Sequence, residues 1–176
     1  MSVFNRPPPA FSPEEAQAMV FDFYGLRVTA RSLDSERDQN FLCSTPDYQK
    51  MVLKISNPDE DKAVLEMQNE CMQYIHDHGS ALQVPFAMAG NAGNDIFVVT
   101  KELTTYFVRL VHYLPGLQMK DVTHHESMLY KLGSFLGHLC QAMSGFDHPA
   151  ADRDFPWDVA NIDFIHAIDA NSIGIP

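Results

Sequence analysis

Cysteine is scarce in this chain. Cys43, Cys71 and Cys140 are odd in number and far apart, with no metal or redox spacing among them. That excludes a disulfide framework and a thiolate metal site as organising features, and predicts reduced thiols in a cytoplasmic protein. Basic residues are also few: 12 Lys and Arg stand against 23 Asp and Glu, for a net charge of −11. A basic face is what nucleic acid and anionic membrane surfaces require, so neither is expected as a partner. No apolar run is long enough to span a bilayer, and the N-terminus has no secretory pattern. Glycine-rich phosphate loops are missing too, both the G-x-G-x-x-G type and the Walker A type.

What is present suffices for a core. The 176 residues are 45% apolar, enough for one domain, or for one small domain and a piece of a second. Residues 1–10, with Pro7-Pro8-Pro9, predict an extended, poorly ordered arm. Ser12-Pro13-Glu14-Glu15 then has a capping serine, a proline suited to the first helical position and acids at the positive end of a helix. Ala16, Met19, Val20 and Phe23 give that helix an apolar face, and Gly25 marks its end.

Strands are predicted over residues 26–33, 41–44 and 51–55, the last two joined by a tight turn at Thr45-Pro46-Asp47-Tyr48. Met51-Val52-Leu53-Lys54-Ile55 is the stretch around which the rest is organised. Alternation places Met51, Leu53 and Ile55 on a core face, with Val52 and Lys54 on the other. A lysine so placed is either a solubilising residue, as edge strands carry, or a cation for a phosphate, with Val52 as an apolar lid for a flat base. Asn57-Pro58-Asp59-Glu60 predicts a capped start for a helix over about 58–78, ended by Gly79, with Ala63, Met67, Cys71, Tyr74 and Ile75 as its apolar stripe. Glu66 lies beside that stripe, Glu70 one turn on, and either can reach toward the sheet or face solvent.

Residues 84–89, 96–100 and 106–113 read as further strands, and Leu114-Pro115-Gly116 as a hinge between lobes. The expected architecture is α+β: about five antiparallel strands with one packed helix in residues 11–116, then the start of a helical lobe in 117–176. Thr123-His124-His125-Glu126 has capping-box spacing, and Leu129, Leu132, Phe135, Leu136, Leu139 and Met143 predict a buried helix face. Adjacent His124 and His125 do not share a helix face, so no metal site is expected there. Residues 146–161 read as loop, and 162–176 show no clear pattern.

Several segments in this order resemble the phosphotransferase family of aminoglycoside phosphotransferases, choline kinases and homoserine kinases. They look most like hydroxylysine-kinase-like proteins and the kinase part of bifunctional kinase–class III aminotransferases. The segments are Ser35-Glu36-Arg37-Asp38-Gln39-Asn40-Phe41, Val52-Leu53-Lys54-Ile55-Ser56-Asn57, Glu66-Met67-Gln68-Asn69, Tyr113-Leu114-Pro115-Gly116, and Gly145-Phe146-Asp147-His148-Pro149 with Trp157-Asp158. The resemblance implies a protein-kinase-like N-terminal lobe that binds ATP. Lys54 would hold the α/β-phosphates, paired with Glu66. Ser35 to Asn40, Arg37 included, would replace the phosphate-covering loop. Val52 would touch adenine, and His112, Tyr113 and Leu114 would offer backbone groups to its edge.

The family's histidine-glycine-aspartate catalytic loop does not occur in the sequence. His166-Ala167-Ile168-Asp169 has the wrong spacing, and Asp163-Phe164-Ile165 lacks the glycine of a metal loop. The expectation is therefore the nucleotide-binding part of an ATP-dependent small-molecule kinase, cut before its catalytic half and inactive alone. ATP and Mg2+ would serve the full-length parent, with no cofactor required by this chain. An amino-acid- or amino-alcohol-like hydroxyl substrate would need the missing lobe. A non-catalytic binding or assembly module is the competing reading. Loss of cover over residues 124–143 predicts self-association.

Overall fold

The computed structural model describes residues 7–79, 82–153 and 158. Residues 1–6 of the expected arm, Trp157, and the stretch holding Asp163, His166 and Asp169 lie outside them. Five strands form one antiparallel sheet: β1 (Thr29–Leu33), β2 (Gln39–Ser44), β3 (Lys50–Ile55), β4 (Phe97–Lys101) and β5 (Thr104–His112). Their order is β1-β2-β3-β5-β4. Among the described residues, helices α1 (Pro13–Tyr24), α2 (Lys62–His78) and α3 (Glu126–Ala142) accompany the sheet, with 3₁₀ turns at Met119–Asp121 and Pro149–Ala151. Among the described residues no helix is long and apolar enough to cross a membrane.

Helix α1 begins and ends where its local signals place it. Ser12 Oγ accepts from the Glu15 amide (3.2 Å), and Glu15 accepts in return from the Ser12 amide (2.6 Å). Gly25 closes the helix at φ 68°, a left-handed geometry that glycine adopts without strain. The core lies between α1 and one face of the sheet: Ala16, Met19, Val20 and Tyr24 meet Phe41, Cys43, Met51, Leu53, Ile55, Val108 and Leu110. Each large apolar side chain buried there contributes about 1.5–3 kcal/mol. The end of the arm joins this core. Pro9 is buried and the Ala10 carbonyl accepts from Lys101 Nζ at 2.8 Å, while Pro7, Pro8 and Ala10 are exposed.

Residues 84–89 do not form a strand of the sheet. Pro85 has no amide to donate, and the segment makes one isolated bridge, Ala87 to Val111. The His112 amide donates to the Phe86 carbonyl (3.1 Å) and the Met88 amide to the Leu110 carbonyl (2.8 Å). The segment thus continues the line of β4, whose pairing with β5 starts only at Phe97 and Val108. The return from residue 90 to β4 requires Gly90, where an added Cβ would strike the Phe97 ring and come within 2.6 Å of the Phe23 carbonyl.

Helix α2 starts at Lys62, four residues later than the predicted start at Pro58. Its cap is Asp61, whose carboxylate accepts from the Ala63 amide (2.9 Å). Asn57 is engaged elsewhere. Its amide donates to Asp38 Oδ1 (3.0 Å), its Nδ2 to the Arg37 carbonyl (3.3 Å), and its Oδ1 accepts from the Asp59 amide (3.1 Å). Buried and bonded across the sheet, Asn57 forms an Asx turn and not a cap. The buried face is Val64, Leu65, Asn69 and Ile75; of the predicted stripe Ile75 belongs to it, while Ala63, Met67, Cys71 and Tyr74 are half-buried.

Helix α3 leaves its predicted apolar face uncovered. No residue of it is buried, and Leu129, Leu132, Phe135 and Leu136 are between 37% and 51% exposed. Its expected capping box is absent too. His125 takes the cap position with no side-chain hydrogen bond, while His124 Nε2 lies 2.8 Å from the Met119 carbonyl oxygen.

Candidate nucleotide cleft

The sheet face turned away from α1 carries two rows of side chains in register. One row is Leu42, Val52 and Val111; the other is Asn40, Lys54 and Arg109. Helix α2 lies over this face. Between them opens a cleft of about 590 Å³. Val52, Lys54, Arg109 and Val111 form its sheet side, while Met67, Gln68, Cys71 and Met72 come from α2. His112, Tyr113 and Leu114, where the chain leaves β5, close one end together with Pro85 and Phe146. A mostly apolar slot with a few convergent polar groups is the usual form of a small-molecule site.

Val52, Lys54, His112, Tyr113 and Leu114 therefore meet in one cleft, as the sequence reading grouped them. Ser35, Arg37, Asn40 and Glu66 do not line it. Asn40 joins it indirectly, since Lys54 Nζ donates to Asn40 Oδ1 (3.3 Å) and Asn40 Nδ2 donates to Ser35 Oγ (3.0 Å). Arg37 faces Glu60 (3.8 Å), which also accepts from Arg153 (3.2 Å). The Nε of Arg37 is buried without a hydrogen-bond partner among the described residues.

Glu66 does not pair with Lys54. It is ion-paired with Lys62, one helical turn earlier, and its side chain is 42% exposed. Glu70 is no substitute, lying 3.8 Å from His148 Nε2. The cause is the helix phase. Leu65, Gln68 and Asn69 face the sheet, and the next position after Leu65 sits about 100° around the helix. An exposed i,i+4 pair of this kind contributes only about 0.3–0.5 kcal/mol.

Sequence reasoning missed the second cation of the cleft. Arg109 is buried, and its guanidinium donates to the Leu65 carbonyl (3.3 Å), to Asn69 Oδ1 (2.7 Å) and to Gln68 Oε1. The signal was available: a lone cation at the outward position of an apolar strand, the same pattern that singled out Lys54. Burial pushes the Lys54 ammonium below its ordinary pKa, with the Arg109 charge adding to this and the Asp38 carboxylate opposing it. Burial likewise lowers Arg109, against the carboxylates of Asp38, Glu60 and Asp95. Desolvation also lowers His112, whose ring packs on Phe86 with centroids 3.8 Å apart. Among the described residues no group of three or more His, Cys, Asp or Glu side chains is placed to hold a metal ion.

The Phosphotransferase enzyme family model matches residues 29–168. The chain belongs to this family. Among curated members it is 28% identical to hydroxylysine kinase of Mus musculus over 172 residues, covering 88% of this chain and 45% of that protein. Against hydroxylysine kinase of Danio rerio the identity is 28% over 178 residues, covering 94% and 50%. The chain thus spans about half the length of the curated relatives it matches. Two solved phosphotransferase structures share the fold. One is amicoumacin kinase hAmiN in complex with AMP-PNP, Ca2+ and Ami, with TM-score 0.72 and 13% identity over 93% of this chain and 50% of that one. The other is a microcompartment-associated aminopropanol kinase, with TM-score 0.67 and 15% identity over 84% and 45%. The five-stranded sheet and its packed helices are thus a kinase-like N-terminal lobe.

Proposed function

We propose that this chain is the nucleotide-binding part of an ATP-dependent kinase that phosphorylates a hydroxyl of an amino-acid- or amino-alcohol-like substrate. The observation that carries the reading is the placement of Lys54. It is a largely buried cation with no carboxylate partner among the described residues, at one end of an apolar cleft that ends at the strand exit of residues 112–114. In this reading Lys54 takes the α/β-phosphates and Val52 covers the base. The His112 amide is already given to Phe86, so the base edge falls to the His112 carbonyl and to Tyr113 and Leu114. Ser35 and Arg37 belong to the loop over the phosphates, and Asn40, at the start of β2, links Ser35 to Lys54. The substrate class follows the names of the relatives, hydroxylysine kinase and aminopropanol kinase.

The 176 residues contain no histidine-glycine-aspartate sequence, so phosphoryl transfer by them alone is not expected. Calorimetric titration of ATP with and without magnesium, beside a phosphoryl-transfer assay, tests the reading. The expected result is weak binding, with Kd roughly 0.1 mM or higher, little change with magnesium and no turnover. Tight magnesium-dependent binding, or transfer abolished by Lys54→Ala, would place the catalytic groups within these residues. The same reading includes a cytoplasmic location, matching the free thiols of Cys43, Cys71 and Cys140. It also includes self-association through residues 124–143, supported by the exposed apolar side chains of α3. A single monomeric boundary in sedimentation at high concentration counts against that contact.

A further inference from the structure

Arg109 stands opposite Lys54 on the neighbouring strand, yet its bonds run to the helix. Its three acceptors belong to positions 65, 68 and 69, which share one face of α2 at i, i+3 and i+4 spacing. Asn69 is buried and bonded on both sides. Its Oδ1 accepts from Arg109, and its Nδ2 donates to Asp95 Oδ2 at 2.8 Å. These two bonds fix the orientation of the amide, and they pass the Asp95 charge to the guanidinium through it. Arg109 has no carboxylate within ion-pair distance among the described residues, and neither has Lys54. The helix so held supplies the cleft wall through Met67, Gln68, Cys71 and Met72.

We infer that Arg109 is the positioning residue that sets α2 against the sheet, in the place of a direct ion pair between the strand lysine and a helix carboxylate. The consequence is a division of labour between two adjacent cations. Arg109 holds the helix, and the charge of Lys54 is left for an anionic ligand. The second half of this statement rests on the nucleotide reading of the cleft; the first half does not. The three acceptors are spread over both terminal nitrogens of the fork, Nη1 and Nη2, whereas a lysine would bring its donors to a single point, so a lysine at position 109 would not reproduce the contact.

Hydrogen exchange across α2 tests the tether. In the 176-residue protein Arg109→Met is expected to speed exchange of the α2 amides at least tenfold while the β2, β3 and β5 amides stay protected. Arg109→Lys should restore little of the loss. Gln68→Leu removes one acceptor at the cleft side and should give a smaller loosening of the same helix, which keeps the inference testable if Arg109→Met does not fold. Unchanged α2 exchange in both Arg109→Met and Gln68→Leu overturns the inference. So does Glu66→Gln loosening α2 as much as Arg109→Met. A parallel titration with ATP and adenosine reads the second half: Arg109→Met should weaken ATP binding at least tenfold, with Arg109→Lys no rescue. If the unaltered protein binds no ATP, the nucleotide reading fails, while the exchange result still decides what holds α2.

Discussion

The hydroxyl of Tyr24 accepts a hydrogen bond from the Leu110 amide at 2.9 Å, linking the last residue of α1 to the middle of β5. Leu110 lies two residues beyond Val108, where the pairing of β5 with β4 stops. The tyrosine supplies the acceptor that the missing strand would have given. Tyr24→Phe keeps the ring and strips the partner from a fully buried amide, which costs about 1–3 kcal/mol. Urea denaturation should show that loss as a lower midpoint with an unchanged slope.

Two buried acids predict alkaline lability. Burial raises Tyr24 to about 12 and Cys43 to about 11, from ordinary values of 10 and 9. Both groups are protonated in the folded and unfolded states below pH 9. Above that, the unfolded chain loses the Cys43 proton first, then the Tyr24 proton, while the fold retains both. Stability should therefore hold up to about pH 9 and fall toward pH 11–12, by up to about 1.4 kcal/mol per pH unit for each group. Denaturation midpoints across this range check it, and Cys43→Ala should remove the decline that begins near pH 9.

Lys54 predicts a different pH signature, in binding. Its pKa is depressed by burial, so in the free protein its charge is lost at lower pH than that of an exposed lysine. ATP affinity should fall as pH rises through that depressed value, and adenosine affinity should not. A bound phosphate favours the charged form, so ATP binding above that pH should take up a proton. Lys54→Met should cost ATP about 1.5–3 kcal/mol, the range for a charge-assisted hydrogen bond, and should flatten the pH dependence. Equal pH profiles for ATP and adenosine would remove Lys54 from the phosphate site.

The turn between β4 and β5 is built from unfavourable residues. Glu102 and Leu103 both have positive φ, 49° and 65°, as a two-residue type I′ hairpin turn requires, and Leu103 is fully exposed. Asparagine and glycine occupy these positions with less strain. Glu102→Asn with Leu103→Gly should stabilise the lobe by about 1 kcal/mol, measured as a higher thermal midpoint.

Features fixed by neighbouring residues were legible in the sequence. The Ser12 cap, the Gly25 stop, the hairpin at Thr45–Tyr48 and the two faces of β3 rest on such short-range signals, and the structure contains them. Asn57 shows where this fails, because its cap spelling is also an Asx-turn spelling, and the bonds it donates to Asp38 and Arg37 decide between them. That shift moves the start of α2 by four residues. Glu66 is lost from the cleft and Gln68 gained because the helix turns positions 65, 68 and 69 toward the sheet. Arg109 was visible as a cation in an apolar strand, but its place beside Lys54 depends on a strand pairing between residues 55 positions apart in sequence. The exposed face of α3 has the same origin, since periodicity identifies an apolar side and says nothing of what meets it.

Lys101 gives the lobe a particular order of assembly. Its Nζ holds the Ala10 carbonyl (2.8 Å) and both Glu15 oxygens (2.8 and 2.9 Å), and it lies 4.7 Å from the centre of the Phe11 ring. The partner of the first helix is thus made about 90 residues later. At roughly 5–20 residues per second of synthesis, the start of the chain waits roughly 5–20 s for it. Through that interval Ala16, Met19, Val20 and Tyr24 have no finished sheet to cover them, because Val108 and Leu110 of β5 come later still. The nascent chain is therefore most exposed to misassociation early, through its first helix, and a chaperone acting on it would find its apolar target there.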